Sequence, residues 1–219
     1  MHSLITGLMV HYKTPTITFK CLNAFRSFYK EMPLLLIDNS NYDKTSNLIY
    51  QYAQQDKYTT CVFNTFNLHH GPSMDLGLHM LQTPWVFVMD SDLLITKPNV
   101  VEEMYKTTTN KSKWLAVGNL CYVDDRGFNL REENQQCESA IRYCNPKCML
   151  VNRYEYFNYH PCILHGAPMI ETMKHIKRVN KEHMLIDFDW TQYAKHLGGA
   201  TQKKHGLDGK GGMAIPPFI

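Results

Sequence analysis

Apolar runs alternate with amphipathic stretches four times within residues 1–110, and this alternation narrows the fold more than any other feature. LITGLMVHY (4–12), MPLLLIDNS (32–40), TTCVFNTF (59–66) and PWVFVMDSD (84–92) read as strands. Between them lie helical patterns. TITFKCLNAFRSFYK places Leu22, Phe25 and Phe28/Tyr29 at three- and four-residue steps, one apolar face. Thr14-Pro15 marks the start of that helix, with a capping hydroxyl and proline at the first helical position. NYDKTSNLIYQYAQQ reads as a loop and helix, GPSMDLGLHMLQ (71–82) as a short helix, and NVVEEMYKTTT as the helix after the fourth strand. Strands that alternate with helices form a mostly parallel sheet flanked by helices, an α/β fold. In such sheets ligands collect beyond the carboxyl ends of the strands. The polar residues there are His11, Tyr12, Lys13 and Thr14; Asp38 and Asn39; Asn67, His69, His70 and Gly71; and Asp90, Ser91 and Asp92.

The second half is less regular. WLAVGNLCYV (114–123) reads as a strand, residues 124–140 as a polar loop with a helical turn, and KCMLVNRYEYF as a strand running into a turn or helix. MIETMKHIKRV is a short amphipathic helix. HMLIDFDWTQYAKHLGG starts extended and is expected to become helical, stopping at Gly198-Gly199. No repeat or linker divides the 219 residues, so one domain is expected, in three parts: 1–110, 111–200 and a mobile tail (201–219). A net charge of +3 is too small to imply nucleic acid or a membrane surface. The apolar runs fall short of the roughly 20 residues of a membrane span, and the N-terminus reads as a strand rather than a signal peptide. Seven cysteines without a CxxC pair read as free thiols in a reducing compartment, hence a soluble cytoplasmic protein.

VFVMDSDLLI (86–95) runs a buried-type strand into two acids one residue apart. If the strand continued, Asp90 and Asp92 would face the same side and repel. A hard divalent cation, Mn²⁺ or Mg²⁺, would relieve that repulsion. The alternative is a solvated strand end that turns.

These segments together resemble family 2 glycosyltransferases of the GT-A fold. LITGLMVHYKTP resembles the family's first strand and nucleotide-contacting loop, and LLLIDNSNYDKT its second strand. FNLHHGPSMDLGLHMLQTPWVFVMDSDLLI resembles the stretch that ends in D-x-D, KCMLVNRYEYF the strand ahead of the acceptor site, and LIDFDWTQYAKHLGG the acidic motif of inverting members. The likeness is closest to rhamnosyltransferase-type members, and the size suits the small viral enzymes that decorate chlorella-virus capsids. The resemblance implies transfer of a sugar from a UDP- or dTDP-sugar to a hydroxyl of a glycan or glycoprotein, with Mn²⁺ or Mg²⁺ as cofactor. It implies that residues 1–110 are a donor-binding half and 111–200 an acceptor and catalytic half. It implies that Asp92 and Asp90 hold the metal and that Asp90 and Ser91 adjoin the donor. Asp38 would accept the imide NH of a uracil or thymine on which Tyr12 stacks, with His11 and Thr14 on the same loop; an Asx turn at Asp38-Asn39 is compatible with this. His70, Gly71 and Ser73, with His69 and Asp75, stand where the family carries Arg or Asn near the diphosphate. Tyr193, Lys195 or His196 stands where it ends in Arg.

For the catalytic base the resemblance offers Asp187, whose spacing to Gly198 fits the motif, and then Asp189. The aromatic setting of both is expected to raise a carboxylate pKa, and whichever is not the base caps the turn at Trp190. One carboxylate base without a nucleophile implies inversion. A late His205 would complete the metal shell as the tail folds over the donor, bringing Lys203, Lys204 and Lys210 to the diphosphate. His165 reads as structural. Three other classes stay open: a nucleotidyltransferase, although VHYKTP lacks its glycine-rich loop; a non-catalytic nucleotide-sugar-binding domain; and a structural α/β domain.

Overall fold

The structure, a computed structural model, describes residues 4–163 and 166–198. Its first half follows the sequence pattern: β1 (Ile5–His11), α1 (Pro15–Phe28), β2 (Leu34–Asp38), α2 (Lys44–Gln55), β3 (Thr59–Phe63), α3 (His70–Met80), β4 (Trp85–Asp90), β5 (Leu93–Ile95) and α4 (Val100–Lys106). The second half adds β6 (Ala116–Val123), β7 (Ile141–Asn152), α5 (Arg153–Tyr156), α6 (Ile170–Arg178), β8 (Leu185–Asp187) and β9 (Ala194–His196). Seven strands form one sheet in the order β3-β2-β1-β4-β7-β6-β8. Strands β1 to β4 are mutually parallel. β7 is antiparallel to both β4 and β6, and β8 is parallel to β6. The carboxyl ends of β1, β2, β3, β4, β6 and β8 therefore all lie along one edge.

Period-two alternation sorts the strand residues onto two buried faces. Leu8, Ile37, Val88 and Met149 face Met74 and Leu78 of α3 and Ile170 and Met173 of α6. Met9, Leu36, Phe87 and Leu150 face the other way, toward Leu22 and Phe25 of α1 and Val101 of α4. α3 sits close against the sheet: a Cβ on Gly77 would fall 2.5 Å from Leu8 Cδ1 and 3.1 Å from Ile37 Cδ1. That approach sets the height of the helix's first turn above the strand ends.

Helix starts differ in detail from expectation. Pro15 is at the first position of α1, but the Thr14 hydroxyl makes no capping bond; instead Thr18 Oγ1 donates to the Thr14 carbonyl at 3.0 Å. Asp43 caps α2, accepting from the Thr45 and Ser46 amides, a contribution of about 1 kcal/mol.

Two sequence expectations are corrected. The fourth strand, expected over 84–92, is shorter: β4 ends at Asp90, Ser91 and Asp92 form a turn, and β5 begins at Leu93. The segment after Asp189 is not a helix. One 3₁₀ turn, Trp190–Gln192, leads into β9, which pairs antiparallel with β5 in the register Leu93↔His196, Leu94↔Lys195, Ile95↔Ala194. Ala194 is buried, Lys195 exposed and His196 half-buried, a two-residue alternation that suits a strand. Trp190 and Ala194 bury against Leu93 and Ile95, and this tertiary burial outweighs local helical preference.

Candidate metal and donor site

The turn between β4 and β5 and the end of β9 meet at one point. Leu197 N–H donates to the Asp92 carbonyl at 2.9 Å, anchoring the strand that carries His196. His196 Nε2 lies 2.9 Å from Asp92 Oδ1 and 3.1 Å from Asp90 Oδ2. One atom from each of the three residues can be chosen so that all lie within 4.8 Å of one another, the only such group of three or more among the described residues. His70, the first residue of α3, places Nε2 3.6 Å from Asp90 Oδ1. The break in the strand thus turns two repelling carboxylates toward a shared imidazole.

Electrostatics match this geometry. Burial pulls the His196 pKa down, but the bonds to Asp90 and Asp92 and their charges outweigh it and hold it at about 9. Burial pushes the Asp90 carboxyl up, yet the His196 bond and the His70 and His196 charges bring it below the usual range. With nothing else bound, His196 is an imidazolium that fills the cation's place. A folded pKa above the unfolded value near 6.5 contributes stability that is complete below pH 6.5 and is lost as pH rises through about 9. The metal-free protein should therefore lose stability across that interval relative to His196→Gln, read by urea denaturation in chelator. Parallel pH curves for the two proteins would exclude the pairing.

The donor-side candidates form a second cluster beyond β1 and β2. His11, Asp38, Asn39, Ser73 and Thr14 are buried. Asp38 accepts from the Ser40 amide and from the Ser46 hydroxyl, an Asx-type turn, and His11 Nε2 is 3.8 Å from Asp38 Oδ1. His11 Nδ1 lies 2.9 Å from Thr18 Oγ1. Asn39 Oδ1 accepts from Ser73 Oγ at 2.9 Å and Asn64 Nδ2 at 2.7 Å, and Asn39 Nδ2 donates to the His69 carbonyl. These side chains tie the β1, β2 and β3 loops to the start of α3 and shape the floor of the edge. Tyr12 is half-buried above them, and buried Gly71 lies in the first turn of α3. Lys13, in left-handed backbone, donates its amide to Ser40 Oγ and sets its ammonium 5.3 Å from the Tyr12 ring.

Asp187 and Asp189 lie further along the same edge and differ from each other. Asp187 is exposed at the end of β8, opposite Gly118, and Oδ1 accepts from the Leu120 amide at 3.1 Å. Asp189 Oδ1 accepts from the Thr191 hydroxyl and amide and caps the 3₁₀ turn; these bonds draw its pKa down, the reverse of the expected upward shift. Lys203, Lys204, His205 and Lys210, and His165, lie outside the described residues. The sequence reading held His196 only as a candidate diphosphate contact. No local signal marks it as a partner of Asp90 and Asp92, because the β5–β9 pairing makes it one.

The profile of glycosyl transferase family 2 matches residues 9–173, most of the chain, from within β1 to within α6. The chain belongs to this family. Its sheet is the GT-A sheet: it superposes with a TM-score of 0.60 on a mannosyltransferase of Pyrobaculum calidifontis, solved with GDP-mannose and Mn²⁺, at 12% identity over 84% of this chain and 54% of that one. S. aureus TarS (residues 1–349), solved with UDP-GlcNAc, superposes at 0.59 and 11% identity over 87% of this chain and 57% of that one. An uncharacterised glycosyltransferase of Methanocaldococcus jannaschii is 22% identical over 161 residues, 72% of this chain. This family 2 chain spans about half the length of that curated relative. Among the described residues no helix is long and apolar enough to cross a membrane.

Proposed function

We propose that this chain transfers a sugar from a nucleoside diphosphate sugar to an acceptor hydroxyl, with a divalent metal at Asp90, Asp92 and His196 and with inversion at the anomeric carbon. The observation that carries this reading is the convergence of these three residues at the carboxyl edge of a GT-A sheet. Two carboxylate oxygens and one imidazole nitrogen fit Mn²⁺, and the nitrogen favours it over Mg²⁺. The bound ion would supply charge that favours departure of the diphosphate. The Mn²⁺ and nucleotide sugars of the solved relatives agree with this assignment.

The protein's own groups account for the rest. β8 is three strands from β4, about 14 Å at ordinary spacing, room for a sugar between the phosphate site and a base. Asp187 lies on the same face as Asp90, since Val88 and Leu185, two residues before them, pack in one cluster. Its bond from Leu120 orients one carboxylate oxygen and leaves the other for the acceptor. The acceptor oxygen forms the new bond to the anomeric carbon as the carbon–phosphate-oxygen bond breaks. The electron pair leaves with the diphosphate and the acceptor proton passes to Asp187. Asp189, held ionised by its cap, is a weaker base and the second candidate. Asp38 is assigned to the nucleobase through the loop it braces, Tyr12 to stacking on that base, and His70 and Gly71 to the phosphates. A UDP- or dTDP-sugar is the proposed donor, and a glycan or glycoprotein hydroxyl the acceptor.

The test is calorimetric titration of UDP, dTDP and GDP with and without Mn²⁺. Binding that requires Mn²⁺ is expected for at least one diphosphate. No binding of any of them in the presence of the metal would refute the reading.

A further inference from the structure

We infer that Lys147, the first residue of the KCMLVNRYEYF segment, binds the sugar-bearing phosphate of the donor and stabilises it as it leaves. This inference rests on the proposed metal-dependent transfer.

The last ladder pair between β4 and β7 is Met89↔Cys148, after Val88↔Met149. The ladder stops there, and β7 shifts register against β6 between Met149 and Cys144; continued one step toward the carboxyl edge of β4, the β4–β7 register sets Lys147 opposite Asp90. Residues directly opposite on adjacent strands share a face. Lys147 thus shares the face of Val88 and Met149 that Asp90 and Asp187 also share. It is near enough for its charge to bear on the Asp90 carboxyl on one side and the Cys121 thiol of β6 on the other. Across the edge the order is Asp90 on β4, Lys147 on β7, then β6, then Asp187 on β8. Lys147 therefore stands between the metal residues and the proposed base, where the scissile bond must lie.

Charge balance explains its presence. A divalent ion is neutralised by Asp90 and Asp92. Lys147 then remains as a half-buried positive charge that makes no ion pair among the described residues. Burying such a charge is unfavourable without an anion. The anion that arrives at this point is the phosphate carrying the sugar, and it gains charge as the glycosidic bond breaks, when an ammonium helps most. Neither end of this arrangement is legible alone: the sequence places Lys147 in an ordinary strand, KCMLVN, and only the antiparallel pairing sets it beside Asp90.

The experiment compares wild type, Lys147→Met and Lys147→Arg in Mn²⁺. The methionine keeps an unbranched apolar stem and removes the charge. The probes are UDP, dTDP and GDP, the tightest of them being paired with its own monophosphate, which lacks the second phosphate. Lys147→Met is expected to weaken the diphosphate by about ten- to thirty-fold, as loss of a charged hydrogen bond implies. It should leave the monophosphate and Mn²⁺ unchanged, and Lys147→Arg should recover most of the loss. Equal weakening of mono- and diphosphate would assign Lys147 a structural role and overturn the inference. So would undiminished diphosphate binding by Lys147→Met, while wild-type binding left the proposed function standing. Failure of wild type to bind any diphosphate would remove both. Thermal unfolding of the three proteins checks that the fold is shared.

Discussion

Asp92→Ala is expected to weaken Mn²⁺ binding by at least about 100-fold and to abolish the metal-dependent part of nucleotide binding. In the proposed metal site Asp92 would contribute one of two anionic ligand atoms, and loss of a direct ligand should exceed the 10–100-fold typical of residues that merely orient ligands. The variant should stay folded. His196 keeps its bond to Asp90 at 3.1 Å, and the Leu197 amide still reaches the backbone carbonyl of residue 92, which the substitution leaves intact. β9 therefore remains docked on β5. Calorimetry with Mn²⁺ alone, then with the best diphosphate, reads both effects. If the variant bound Mn²⁺ as tightly as wild type, the metal would have to lie elsewhere, and Asp90, Asp92 and His196 would be a plain buried ion-pair cluster.

The second large effect is on turnover. Asp187→Asn should lower kcat by about 10²–10⁴, the usual weight of a positioned general base, while donor and metal affinities stay within two-fold. Asparagine preserves the shape and can still accept the Leu120 amide, so the pocket should be unaltered. The companion variant Asp189→Asn separates the two acids. Asparagine can still accept from the Thr191 amide and hydroxyl, so the cap on Trp190–Gln192 should persist, with little change in stability and a small effect on kcat. The measurement is initial rate against a panel of acceptor sugars with the donor that calorimetry selects. A large loss in Asp189→Asn with a minor one in Asp187→Asn would move the base two residues along and make Asp187 a brace for β6.

Together the variants divide the edge into parts. Asp92 reports on the metal, Lys147 on the leaving phosphate and Asp187 on the acceptor proton. Binding of Mn²⁺ alone should respond to Asp92 and not to Lys147 or Asp187, and a loss of kcat at unchanged donor affinity to Asp187, whereas diphosphate binding responds to both Asp92 and Lys147.

Most of the first half was legible from residue pattern. Apolar runs ending in His11, Asp38 and Asp90 mark buried parallel strands, because only a strand covered on both faces is apolar throughout. Proline and the polar residues at the run ends locate the loops. The family resemblance rested on these segments and on KCMLVNRYEYF and LIDFDWTQYAKHLGG in the second half; the family 2 profile covers residues 9–173 and stops short of the last of them. What failed was local inference in LIDFDWTQYAKHLGG. Its spacing suits a helix, yet Ala194 and His196 form a strand, because Leu93 and Ile95 offer a paired edge and a buried surface that an isolated helix there would forgo.

The amino-acid order alone determined which strands exist, which edge carries the polar ends, and that two acids close the fourth strand; these follow from alternation and burial within a few residues. Tertiary structure decided that the strand stops at Asp90 and leaves Asp92 in the turn, that His196 and not a nearer polar residue completes their group, and that the charge of Lys147 acts on Asp90. The reason is physical: Asp90 and His196 are 106 residues apart, and their meeting depends on strand pairings whose register is set by the burial of many side chains at once.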